Sequence, residues 1–213
     1  MKALLTAAAL TLMGSALCAA PVQPVSYSIP NGNTGTYTYF DDSYDAPGAP
    51  IASVGALLTG GLGDLTDGII ATGNWNSTGS QAGATPYVGW FGRDPVLTFA
   101  FDRAYDFTSV TFHFDDSNGA GGVTPPASVR VNNNGFTQGV PDPASGAPFA
   151  FTMSLASVAP TDVLQFQIFR RNNSWIFLSE VTFEAPVPVP LPASGLLLLG
   201  AMGGLAMMRR KRV

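Results

Sequence analysis

One cysteine and one histidine occur in 213 residues, and the stretch 21–193 contains no lysine. The lone Cys18 leaves nothing to pair with inside the chain, so the fold must rest on its core rather than on covalent staples. Five arginines stand against all 14 acids in 21–193, a net charge of −9. A surface that tracks phosphates needs clustered cations, so this balance argues against nucleic-acid binding. Charged residues make up only 11% of the chain and Phe numbers 14, which argues against disorder because enough apolar surface exists to offset chain entropy. Catalytic signatures are missing as well. The chain has no Gly-x-Ser-x-Gly, no His-Glu-x-x-His, no phosphate-loop lysine and no cysteine–histidine dyad. Its only two glutamates, Glu180 and Glu184, lie on one predicted strand, so paired-carboxylate chemistry has little to draw on. The chain reads as a non-enzyme, with a secreted glycan hydrolase as the remote alternative.

What is present falls into three parts. At the start, Lys2 precedes an apolar run Ala3–Met13 and a small-residue patch Ser15–Ala20, the pattern of a secretory signal peptide over 1–20. Cuts after Cys18 and after Ala20 both satisfy the small-residue rule, although Pro21 opposes the second, and bulky Leu17 speaks against lipidation of Cys18. At the other end, prolines 186, 188, 190 and 192 make 185–193 a stiff extended spacer. Ser194–Met208 then runs fifteen residues without a charge before Arg209-Arg210-Lys211-Arg212. As a helix this run is about 22 Å long, a short membrane span within 194–213 whose basic tail faces the cytoplasm.

Between the ends the apolar period is two. Leu97-Phe99-Phe101, Val110-Phe112-Phe114, Leu164-Phe166-Ile168 and Val181-Phe183 each alternate with polar or small residues. Alternation of this kind marks strands buried on one face. Clusters of Gly, Asn, Asp and Pro separate the runs, and no amphipathic helical stripe occurs. The expectation is an all-β domain over 25–184, an antiparallel β-sandwich or jelly roll. His113, between Phe112 and Phe114, should face away from their side of the sheet. Asp41-Asp42-Ser43-Tyr44-Asp45 and Asp115-Asp116-Ser117-Asn118-Gly119 lack the later ligands of a calcium-binding helix–loop–helix and read as solvated loop carboxylates. Trp90 and Trp175, each leading a strand, read as core. Trp75, between Asn74 and Asn76, reads as the exposed tryptophan.

Two resemblances add to this. Val189-Pro190-Leu191-Pro192-Ala193, followed by a short apolar span and terminal arginines, resembles the Val-Pro-Leu-Pro-Ala variant of the PEP-CTERM sorting signals of Gram-negative bacteria. The resemblance implies an exosortase-type membrane peptidase as processing partner. It also implies export, an inner-membrane-anchored precursor and a final place at the cell surface or in the extracellular matrix. No Pro-Glu-Pro occurs in this chain.

The middle is similar to the discoidin-like, galactose-binding-like domains. The similarity rests on Leu65-Thr66-Asp67-Gly68, Trp75, Tyr87-Val88-Gly89-Trp90, the stretch Val123–Val131 and the closing strand Trp175–Phe183. It implies an eight-stranded jelly roll with a binding site in loops at one end. It also implies a structural calcium: Asp67 and Glu180 match the family's acidic ligands, Ser77 or Thr78 stands where a hydroxyl is usual, and oxygens near Asp64 and Ile69 would complete an all-oxygen set. Without the resemblance, Asp67-Gly68 reads as a turn and Glu180 as an exposed strand residue. For glycan contact the candidates are Trp75, which can stack on a sugar's CH face, and Arg170, Arg171, Asn172 and Asn173, a loop-tip set of polar partners. The expected function is non-catalytic binding of extracellular polysaccharide, with a purely structural envelope or matrix role as the alternative.

Overall fold

The computed structural model describes residues 19–48, 53–78 and 85–186. Residues 1–18 of the expected signal peptide, the Val189–Ala193 motif and the expected membrane segment 194–213 lie outside the described residues. Among the described residues no helix is long and apolar enough to cross a membrane.

Ala19–Pro186 form one compact unit, with eleven strands among the described residues. They are β1 (Ala19–Val22), β2 (Ser26–Pro30), β3 (Leu57–Gly61), β4 (Val88–Phe91), β5 (Val96–Tyr105), β6 (Ser109–Phe114), β7 (Ser128–Val131), β8 (Thr137–Gly139), β9 (Phe149–Ser154), β10 (Thr161–Phe169) and β11 (Trp175–Pro186). The strands pair antiparallel into two sheets. One runs β3-β2-β5-β10-β7-β8; the other runs β1-β11-β6-β9, with β4 also on β11. β4 and β1 follow one another along the same side of β11, against Trp175–Leu178 and Phe183–Pro186. The expected sandwich is present, and the alternating positions of β5, β6 and β10 fill its interior. Edge-on aromatic contacts cross between the sheets: Phe183 meets Phe99 at 4.9 Å and Phe101 at 5.0 Å, and Phe112 meets Phe166 at 5.2 Å. Edge-to-face pairing of this kind adds to the burial of each ring.

The domain reaches beyond 25–184 at both ends. Ala19 and Ala20 pair with Pro186 and Ala185, so the first strand takes in two residues of the expected signal peptide and the last takes in two of the expected spacer. Pro21 is tolerated because β1 is the edge strand of its sheet, and Pro186 because it ends β11, two residues past the register with β6.

β11 carries the irregularity that matters most. Leu178 pairs with Phe114 but Glu180 pairs with His113, so Ser179 is the extra residue of a β-bulge. Before the bulge, Ile176 and Leu178 enter the main core; after it, Val181, Phe183 and Ala185 do. The switch of parity turns both Ser179 and Glu180 to the other face of the sheet. There, Trp175 and Phe177 join a second, smaller cluster with Tyr39, Ala71, Tyr87 and Val123. The first half of β11 is therefore buried on both faces.

Candidate functional site

The loops folded over the outer face of β11 and β4 make two adjoining features, one acidic and one aromatic.

The acidic one forms where the loop after β3 crosses the bulge. Val181 N donates to Leu65 O at 2.9 Å, and Gly68 N, at φ +84°, donates to Glu180 Oε2 at 3.1 Å. Next to this crossing Asp41 is fully buried; it accepts from the Tyr27 hydroxyl and, at 3.1 Å, from Asp64 N. Asp64 accepts from the Ser43 hydroxyl through one oxygen, while its other oxygen, Oδ2, is buried with no partner. Gly63 is required here, since any side chain would overlap the Asp41 carboxylate and the Tyr27 hydroxyl. The two ion pairs among the described residues, Arg170–Asp94 and Arg171–Asp142, involve none of these acids. Loss of hydration therefore dominates. Burial, and then the neighbouring Asp42 and Asp67 charges, push Asp41 up to about 6 against the pull of its two donors. Burial and the Asp41 charge push Asp64 up to about 7, and burial with the Asp67 charge pushes Glu180 up to about 7.

This corrects one expectation: Asp41, with Asp115 and Asp116, is wholly buried rather than solvated. Glu180 is 1% exposed, against the alternative of a surface strand residue. The expected calcium ligands divide. Asp64, Asp67 and Glu180 share the acidic corner, and Ile69 lies at its open edge, its N–H donating to Asp67 Oδ1 at 2.8 Å. Thr78 instead belongs to the Trp75 turn, where its hydroxyl donates to the carbonyls of Asn74 and Trp75, each at 3.4 Å. Among the described residues, no group of three or more His, Cys, Asp or Glu side chains is arranged to hold a metal ion by itself. The donor chemistry nevertheless suits a hard cation, because a buried carboxylate oxygen without a partner lies among further acids and no lysine or arginine among the described residues pairs with it.

The aromatic feature is a pocket of about 110 Å³ lined by Tyr37, Tyr39, Trp75, Gly121, Val123, Trp175 and Phe177. Phe177 is its floor. Trp175 stacks on Phe177 at 5.5 Å, Trp75 lies parallel to it at 6.4 Å, and Tyr39 meets it edge-on at 4.5 Å. Tyr37 closes the rim, 54% exposed and edge-on to Trp175 at 6.1 Å. Gly89 lets this packing form. Its N–H donates to Tyr39 O and its carbonyl accepts from Asn33 N, which docks the 31–39 hairpin on β4, and a side chain there would overlap the Phe177 ring.

Trp75 is half-buried, a correction to its expected exposure, and its position is fixed by a distant acid. Trp75 N donates to Asp115 Oδ2 at 2.8 Å, Asn74 Nδ2 donates to Ser117 Oγ at 3.0 Å, and the Tyr87 hydroxyl donates to Gly73 O at 2.9 Å. The Trp75 indole Nε1 and the Tyr39 hydroxyl are both buried and unpartnered. Such groups keep the cost of lost hydration until something accepts from them.

The other predicted contact residues form the tight turn between β10 and β11. Arg170 pairs with Asp94 at 3.6 Å, and its backbone N–H donates to the same carboxylate. Arg171 pairs with Asp142 at 3.5 Å and donates to Val140 O at 2.9 Å. Asn172, at φ +58°, and Asn173 form the exposed tip, two or three residues before Trp175. His113 faces away from the main core, as expected. It is half-buried, and burial lowers its pKa.

No curated protein matches the sequence. Among solved structures, CBM32-3 from a family 31 glycoside hydrolase of Clostridium perfringens is similar at 12% identity and TM-score 0.34, covering 55% of this chain and 86% of that one. The family 32 CBM of C. perfringens NanJ, solved in complex with galactose, is similar at 13% identity and TM-score 0.33, covering 57% and 82%. The model of the discoidin domain-containing receptor 1/2 DS-like domain matches residues 24–131, half of the chain, from the strand before the acidic corner to the end of β7. The chain belongs to that discoidin-like family.

Proposed function

We propose that this domain is a non-catalytic carbohydrate-binding module, and that the aromatic pocket over β11 is its binding site. The supporting observation is the pocket itself: three stacked or edge-on rings and an exposed Tyr37 at the rim. Aromatic faces stack against sugar CH groups. Asn172 and Asn173, exposed just upstream of Trp175, serve as further polar contacts at the same end, while Arg170 and Arg171 hold the turn. In the adjoining corner calcium would be held by the unpartnered Asp64 Oδ2 with main-chain oxygens near Ile69, and Asp67 and Glu180 would add negative charge nearby. The bound ion supplies positive charge to acids that otherwise have none nearby.

Affinity electrophoresis against the producing cell's exopolysaccharide, backed by a glycan array, tests the reading. Trp75→Ala should weaken binding at least about tenfold, as loss of a central aromatic anchor does. Arg171→Ala should leave affinity within about threefold while lowering the melting temperature, because it cuts a brace rather than a contact. Equal binding by wild type and Trp75→Ala would move the site elsewhere. Indifference of the folded protein to every polysaccharide would end the proposal.

The sorting signals fit this placement. β11 runs from the pocket at Trp175 to Pro186, twelve residues or about 36 Å of extended chain. The segment after Pro186 would serve as the tether and as the site processed by an exosortase-type peptidase. Of the two signal-peptide cuts, the one after Cys18 leaves β1 whole, whereas the one after Ala20 removes half of it. Mass spectrometry of the exported protein should therefore find Ala19 as the first residue.

A further inference from the structure

We infer that the binding surface continues past the pocket onto Phe91, so that the ligand is a stretch within a polysaccharide chain rather than a single sugar at its end. The inference rests on the carbohydrate-binding reading above and specifies the ligand class. Its first ground is the layout of the rings. Phe91 ends β4 and stands opposite Trp175 in the register of β4 and β11, its ring 5.2 Å from the Trp175 ring. Trp175 in turn lies 5.5 Å from Phe177, the pocket floor. The three rings form one row on the outer face of the sheet, and Phe91, 45% exposed, lies beyond the pocket lining. Among the described residues three aromatic side chains are exposed, Tyr37, Phe91 and Phe136, and two of these three lie against Trp175. A site for a chain end walls in the terminal sugar. Here the row stays open beyond Trp175, so a chain seated in the pocket can run on across Phe91.

The second ground is what flanks the row. A Cβ on Gly92, the residue after Phe91, would come within 3.4 Å of Asn173 Oδ1, and Gly92 N donates to Ser174 O at 3.3 Å. The exposed Asn172–Asn173 tip thus lies alongside the Phe91 end of the row. A ring face beside amide donors and acceptors matches a sugar, which offers a CH face and a rim of hydroxyls. A second copy of this chain is the other occupant that exposed rings could attract, and area decides against it. A covered aromatic side chain buries about 150–250 Å², so two rings about half exposed offer about 200 Å². A stable interface takes about 800 Å² from each partner. A polysaccharide needs no such area, because once one sugar is seated the next contact is made within the same molecule.

Isothermal titration calorimetry on the full-length protein in detergent micelles provides the test. The probes are the producing cell's exopolysaccharide, partly hydrolysed and sized into a disaccharide and a hexasaccharide fraction. Affinity should rise about tenfold or more from the first to the second, beyond the few-fold gain that extra registers on a longer chain give by counting. Phe91→Ala should cut the rise back to that few-fold level while leaving affinity for the disaccharide within about threefold. Its melting temperature should stay close to wild type, because the side chain is half exposed. Phe91→Tyr keeps the ring and should keep the rise. A wild-type rise no larger than the counting gain would overturn the chain inference and leave carbohydrate binding standing. A tenfold rise that survives Phe91→Ala would overturn it too, as would a loss in that variant equal for both fractions. Sedimentation showing a dimer that Phe91→Ala abolishes would overturn it in favour of the second copy. No heat with either fraction or with the intact polysaccharide, in folded protein, would remove both readings.

Discussion

In EDTA, the melting temperature of this protein should fall by about 10 °C or more between about pH 4.5 and pH 7.5, and millimolar calcium should restore most of the loss at the upper end. The sign follows from the three buried acids. Asp41, Asp64 and Glu180 hold their protons up to about 6, 7 and 7 in the folded chain, against ordinary carboxylate values when unfolded. Between those limits the native state binds more protons than the unfolded one. The stabilisation they give is thus complete below about pH 4 and is lost as pH rises through about 6 to 7. A bound cation would replace the protons. At about 100 times its dissociation constant an ion contributes about 2.7 kcal/mol, or about 5–10 °C for a domain of this size. Asp64→Asn separates the two effects. With one buried charge gone, the metal-free variant should melt higher than wild type at about pH 7.5, and its response to calcium should largely vanish. A melting temperature in EDTA that stays level across this range would refute the buried-charge account. A wild-type curve indifferent to calcium would refute the ion.

How much of this was legible beforehand depends on whether the information was local. β5, β6, β10 and the second half of β11 are readable because alternation is a property of neighbouring residues, and one face of each meets the same core. The discoidin-like resemblance was readable from phrases of a few residues each. Trp175-Ile176-Phe177-Leu178 also carried a signal in plain sight, as an unbroken apolar run means burial on both faces. That signal points to the second cluster and, through it, to the pocket. The bulge at Ser179 leaves no local trace, yet it decides where Glu180 points. Asp41 and Asp115 look like any loop aspartates; what buries them is contact with Asp64 and Tyr27 in one case and with the Trp75 turn in the other. Arg170 and Arg171 looked available for a ligand because Asp94 and Asp142 are far away in sequence. The −9 charge of 21–193 without a lysine shows only that most acids there have no cation of that stretch to pair with.

Gly89→Ala should abolish the proposed glycan binding and lower the melting temperature by about 5–10 °C, more than any substitution on the rim of the pocket. Gly89 is buried at the register position opposite Phe177, and its backbone accepts from Asn33 N and donates to Tyr39 O, each at 2.8 Å. The new methyl would overlap the Phe177 ring and come within 2.9 Å of Tyr39 Cβ. Neither neighbour can yield cheaply, because Phe177 supports Trp75 and Trp175, and Tyr39 is held by the strand pairing it would have to break. The substitution thus acts on the pocket floor and on the docking of the 31–39 hairpin together. Trp75→Ala removes one wall and leaves both of those intact. The two variants should therefore differ in stability while sharing the loss of binding, and differential scanning calorimetry alongside the affinity assay reads both quantities. If Gly89→Ala melted with wild type and bound normally, the Phe177 platform could not be what positions the two tryptophans.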